Sequence, residues 1–128
     1  MAKIGYRLDS AERELNRLGY TLETAQPPED SFFPDNYAQL SEAELDLCKT
    51  GALQGNRKAA LLLGKYYEEI TVDNELSEYW YRIGSQNGSP ECQYKLGWML
   101  RGKDNQKDQI RGRFWIDLAA QNGYNEEM

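Results

Sequence analysis

The sequence predicts an all-α fold: a short α-solenoid of about six helices paired into hairpins, led by an irregular N-terminal segment. Three observations predict it. Glycine returns at Gly55, Gly88 and Gly123, a period of 33 to 35 residues that marks stacked helical hairpins. A Leu-Gly doublet ends nine residues after each of the first two glycines, at Leu63-Gly64 and Leu96-Gly97. A tryptophan stands eight residues before the second and third, at Trp80 and Trp115. Only the gap from doublet to tryptophan varies, from 16 residues at Gly64 to 18 at Gly97, as one tight and one looser turn per hairpin require.

Residues 1–8 read as an extended or irregular lead-in. Asp9, with Glu12 three residues later, is a capping-box signature that opens a helix from about Ser10 to Leu18, closed by Gly19. From Tyr20 to Leu40, Pro27-Pro28, Ser31, Pro34 and Asn36 break regular structure, while Phe32, Phe33 and Tyr37 are too apolar for a free linker. Two readings stay open for this segment: a loop that packs its rings on the helices, or a recognition arm for a partner.

Ser41 and Glu44 form a second capping box, opening a helix with Leu45, Leu47, Cys48 and Ala52. Aligned on Gly55, Leu47 occupies the tryptophan place, so this helix is a third copy of the hairpin's second half. Asn56 caps a helix from Arg57 to about Ile70, with Ala59, Ala60, Leu63 and Tyr67 on one face. Asp73 or Asn74 caps the next, which carries Leu76, Tyr79, Trp80 and Ile83. Ser89-Pro90-Glu91 supplies a cap, a first-turn proline and a first-turn acid for a helix reaching about Arg101. The loop RGKDNQKDQ follows, and the last helix carries Ile110, Phe114, Trp115, Leu118 and Ala119 to about Gln121. Asn87-Gly88 and Asn122-Gly123 fit left-handed helix ends rather than hairpin turns. Gly64 and Gly97, inside helices, imply close approach of a neighbour, expected to be the tryptophan ring. The whole of 1–128 reads as one domain: 1–40 the N-terminal helix and acidic aromatic loop, 41–123 the hairpin repeats, 124–128 a tail.

The composition restricts chemistry. Histidine is absent, which removes the commonest general base, metal ligand and nucleophile activator. The two cysteines, Cys48 and Cys92, form no C-x-x-C pair and are expected as buried free thiols. No apolar run reaches the length of about 18 residues that spans a bilayer, and the first residues lack a signal-peptide core, so a cytoplasmic protein is expected. The formal charge of −6 is concentrated: Gly19 to Leu47 holds seven acidic residues and no Lys or Arg, leaving 15 basic against 14 acidic elsewhere. Such a surface argues against nucleic acid and for a basic partner.

The pattern resembles the Sel-one-like repeat, a relative of the tetratricopeptide repeat. The first unit reads Gly55, Ala59, Leu63-Gly64, Tyr67, Asp73, Ser77, Trp80-Tyr81, Gly84-Ser85, Gly88. The second reads Gly88, Cys92, Leu96-Gly97, Leu100, Asp104 or Asp108, Gly112, Trp115-Ile116, Ala119-Ala120, Gly123. Cys92, Leu100 and Ile116 depart from the motif's alanine, aromatic and tyrosine, and the resemblance covers about Glu44 to Gly123. It implies a right-handed α-solenoid whose concave face binds proteins or peptides, as adaptors do and as small bacterial immunity proteins do beside secreted toxins. It implies no catalytic residue.

The protein-binding candidates are Glu29, Asp30, Phe32, Phe33, Asp35 and Tyr37 in the irregular segment, Glu42 and Asp46 on the next helix, and Tyr66 and Tyr94 as outward tyrosines. Glu42 and Asp46, one turn apart, read as a solvated acidic face. The loop at Asp104 to Asp108 lacks the glycine and closing glutamate of a calcium loop. Arg101, Lys103, Lys107, Arg111 and Arg113 form a basic cluster that could receive phosphate or the acidic segment itself. No catalytic, cofactor or metal site is expected. The function expected is protein binding: an immunity protein that neutralises a basic toxin, as a monomer or weak dimer, with a general scaffold or adaptor as the alternative.

Overall fold

The computed structural model describes residues 28–124, and the expected helix at 10–18 lies outside them. The described residues are all-helical. Five α-helices follow one another: α1 (Glu42–Leu53), α2 (Arg57–Lys65), α3 (Asn74–Gln86), α4 (Pro90–Arg101) and α5 (Gln106–Gln121). Ahead of α1 the segment holds two short 3-10 turns, Asp30–Phe32 and Tyr37–Gln39.

The caps follow the sequence closely. Ser41 and Glu44 complete a reciprocal capping box at α1. Asn56, Asp73 and Ser89 each accept a backbone N–H at the starts of α2, α3 and α4. Gly55, Gly88 and Gly123 have φ of 105°, 95° and 95°, the left-handed region open to glycine. Each closes its helix with the same two bonds. The glycine N–H reaches the carbonyl three residues back (Ala52, Ser85, Ala120), and the next residue's N–H reaches Gly51, Gly84 or Ala119. This is the Schellman arrangement three times over. At the first two turns the residue after the glycine, Asn56 or Ser89, also caps the following helix. Only residues 54–56 and 87–89 therefore separate these helices, which fixes a tight turn at each junction.

Each α-helix packs mainly on the next in the chain, and beyond that α2 packs on α4 and α1 on α3. The core is divided along the chain. One cluster gathers Phe33, Cys48, Ala59, Leu63, Trp80 and Ile83; the other gathers Tyr81, Cys92, Leu96 and Leu100. Both thiols are buried and free, and burial pushes each up to about 12.

Several expectations are corrected. The residue closing on Gly64 is Tyr81, not a tryptophan: a Cβ at Gly64 would fall inside its ring. At Gly97 the neighbours are Ile116, whose Cγ1 would lie 2.6 Å from such a Cβ, and the Gly112 carbonyl. Each is the residue after the tryptophan. Trp80 instead fills the core at 4% exposure, Trp115 is half-buried, and Leu47 in the same place is exposed. The helix expected from Arg57 to about Ile70 ends earlier as an α-helix, at Lys65, and continues as a π turn, Tyr66–Ile70. Thr71 N–H reaches back five residues to the Tyr66 carbonyl, and Val72 then adopts φ 54°. The basic loop is shorter than expected, because Asn105 accepts from Asp108 N–H and α5 starts at Gln106.

Candidate protein-interaction site

Two surfaces are candidates: the acidic segment before α1 and the outer face of α4. The first is built on α2. Asn56, whose oxygen caps α2, donates through its amide nitrogen to the Pro28 carbonyl and the Asp30 carboxylate at 2.8 and 2.9 Å. Lys58 donates to the Asp30 and Phe33 carbonyls and pairs with Asp35 at 2.6 Å. That hydrogen bond and charge hold the Asp35 carboxyl below its ordinary value. Phe33 inserts from the segment into the core at 4% exposure, against Gly51, where a Cβ would collide with its ring. The Tyr37 hydroxyl donates to Glu69 at 2.7 Å, a bond that raises its pKa.

Residue by residue, the candidates separate. Phe33 leaves the set: it is core. Tyr37 is half-buried and tied to the π turn, whereas Glu29, Asp30, Phe32, Asp35 and Glu42 are exposed. Asp46 and Tyr66 are half-buried, the latter edge-on to Tyr67 at 5.2 Å. The packed-loop reading therefore describes residues 28–40, with the carboxylates outside. Of these carboxylates Asp35 takes its cation from Lys58. In the basic cluster Lys103 pairs with Glu78 at 3.0 Å, and Arg111 lies 3.9 Å from Asp108. Among the described residues no three His, Cys, Asp or Glu side chains group as a metal site.

The second surface runs along α4. Tyr94, half-buried, meets Trp98 edge-on at 6.2 Å and Tyr124 at 4.8 Å. Trp98 is 48% exposed, and Arg101 lies over its ring at 4.7 Å. Tyr94, Trp98 and Arg101 recur at i, i+4 and i+7, one face of a helix. The sequence reading named Tyr94 as a binding candidate and Arg101 as part of the basic cluster, and passed over Trp98. A signal was present: Trp98 follows Gly88 at the distance at which polar Lys65 follows Gly55. A groove of about 360 Å³ on the far side of α4, lined by Leu96, Leu100, Ile110, Phe114 and Arg82, was also unforeseen. Ile110 and Phe114 are 63% and 58% exposed there. No helix of the described residues is long and apolar enough to cross a membrane. Compared with protein-family models, curated proteins and solved structures, the chain matches none.

Proposed function

We propose that this chain is a protein-binding module, built as a short right-handed α-solenoid of Sel-one-like hairpins. Three identical helix ends at repeat spacing and, among the described residues, packing mainly between neighbouring and next-neighbouring helices support the solenoid reading. The specific function we propose is that of a bacterial, cytoplasmic immunity protein that captures a basic toxin domain. One observation carries it. The segment from residue 28 into α1 places Glu29, Asp30, Asp35 and Glu42 on the outside, and Glu69 and Glu75 on the helices beside it are exposed as well. A fixed acidic surface raises the encounter rate with a basic partner and falls off with salt. The absence of histidine and of any acid–base constellation in the sequence fits a role without catalysis, cofactor or metal.

The alternative is a general adaptor that binds peptides in its concave groove. A hollow of about 340 Å³ between Lys58, Leu61, Glu91 and Tyr124 favours that reading. A tagged chain used as bait in lysate of its source separates the two. The immunity reading expects one basic protein at stoichiometric yield, released by raised salt and lost when Glu29 and Glu42 are changed to Lys. Several unrelated housekeeping proteins, retained by that double variant, would overturn it.

A further inference from the structure

On the side of α4 away from the Tyr94–Trp98–Arg101 stripe lies the groove between α3 and α5, and the repeat shows why it is open. Counted from the glycine of each copy, Leu96, Leu100, Gln86 and Phe114 correspond to Leu63, Tyr67, Leu53 and Tyr79. In the first copy Leu53, Tyr67 and Tyr79 pack on the buried core around Leu63 and Trp80, so the chain fills the place itself. In the second, Leu100 is smaller than Tyr67, and Gln86 is polar and exposed where Leu53 is apolar. A hollow of about 360 Å³ is left, floored by Leu96 and Leu100. Ile110 and Phe114 on its α5 wall stay 63% and 58% exposed. Phe114 rests edge-on against Trp115 at 5.4 Å and keeps its other side open.

The charges around the hollow give it a sign. Its lining includes Arg82 and Arg111 and no carboxylate. Lys107, Ile110, Arg111 and Phe114 recur at i, i+3, i+4 and i+7, so a further cation shares the α5 face. The neighbouring carboxylates are already engaged. Glu78 receives both Arg82 at 2.9 Å and Lys103 at 3.0 Å, and Asp108 stands 3.9 Å from Arg111. Arg82, Lys103, Lys107 and Arg111 thus outnumber Glu78 and Asp108 here, in a chain whose formal charge is −6. An apolar floor under a cationic rim is complementary to an apolar anchor flanked by carboxylates, and a guanidinium can donate two parallel hydrogen bonds to one carboxylate.

We infer that this groove docks an acidic amphipathic segment of a partner protein. One apolar side chain of the segment takes the place that Tyr67 fills in the first copy, and its flanking carboxylates meet Arg82 and Arg111. The site is separate from the acidic surface ahead of α1, which calls for a partner of the opposite charge.

A short fluorescein-labelled peptide, with Leu and Phe one helical turn apart and Glu beside them, tests this by fluorescence anisotropy. The expected dissociation constant is about 100 µM, weak because a groove this small receives few anchors. Raised salt weakens it. Arg111→Glu and Phe114→Ser each reduce affinity about tenfold or more. Leu100→Tyr, which restores the ring of the first copy, blocks binding with every charge intact. Arg113→Glu makes the same charge change on another face of α5 and leaves binding nearly unchanged. Far-ultraviolet circular dichroism checks that each variant keeps the fold. No binding at about 1 mM peptide would overturn the inference, as would equal binding of a twin with Lys in place of Glu. Binding indifferent to both Arg111→Glu and Phe114→Ser would do so too, because it would use another face. Attachment to phosphatidylglycerol vesicles that is lost in those variants, without peptide binding, would overturn it in favour of a membrane surface.

Discussion

The two ends of the run of helices from α2 to α4 treat helix surface in opposite ways. At the α2 end an irregular segment supplies a ring, Phe33, that reaches 4% exposure among Cys48, Ala59 and Trp80. At the α4 end the corresponding outward places hold Tyr94, Trp98 and Arg101, with the indole half open to solvent. The first end is closed by the chain itself. The difference separates residues that hold the fold from residues available to a partner, although both ends are rich in aromatics.

The largest predicted effect tests the closed end. Phe33→Ala removes a buried ring and leaves a cavity between the segment and Gly51, for a loss of about 3–5 kcal/mol in urea unfolding. Next comes the close approach at Gly64. Gly64→Leu drives a side chain into the Tyr81 ring and costs about 3 kcal/mol, whereas Gly102→Ala, with carbonyls 3.6 Å away, costs little. A melt showing equal midpoints for those two variants would remove the close-approach account of the Leu-Gly doublet.

Smaller is the gain from Val72→Asn. Val72 sits at φ 54° after the π turn and is 71% exposed, so its side chain gives little packing in return. Relieving a β-branched residue of this conformation adds about 1 kcal/mol to unfolding stability. An unchanged or lower value would count against strain at this junction. Smallest is the Asp35–Lys58 pair, whose carboxylate is almost fully exposed. Because Lys58 lowers the folded pKa of Asp35, the pair's contribution is present above the unfolded carboxylate value. It is lost as pH falls through the lower, folded one. The window lies below about pH 4. Asp35→Asn should flatten the stability profile there, and high salt should weaken the pair's contribution at neutral pH. A profile unchanged by the substitution would place the segment's attachment elsewhere.

The sequence was most legible where one residue has one physical use. Asn56, Asp73, Ser89 and the Ser41–Glu44 box are the caps observed, and Gly88 and Gly123 take the left-handed φ expected of helix ends, as Gly55 does too. It was less legible where two neighbours compete for one place. Trp80-Tyr81 and Trp115-Ile116 share a periodicity, and only helix rotation in the folded state decides which residue meets the glycine. Phe32 and Phe33 show the same limit: adjacent rings of one chemistry, one 64% exposed and one buried. The π turn left no trace in the pattern, because YYEEI continues an acceptable helix. Trp98 lies outside the spacings that mark Trp80 and Trp115, although polar Lys65 stands at the same distance from Gly55 as Trp98 from Gly88.

The central claim is that the two ends differ in kind, one structural and one spare. Thermal unfolding tests it on two variants side by side. Phe33→Ala is predicted to lower the midpoint by roughly 10 °C or more, at about 3 °C per kcal/mol, and Trp98→Ala to move it by less than about 2 °C. Equal losses at the two positions would contradict the claim, because the α4 stripe would then be part of the fold rather than a surface held open by it.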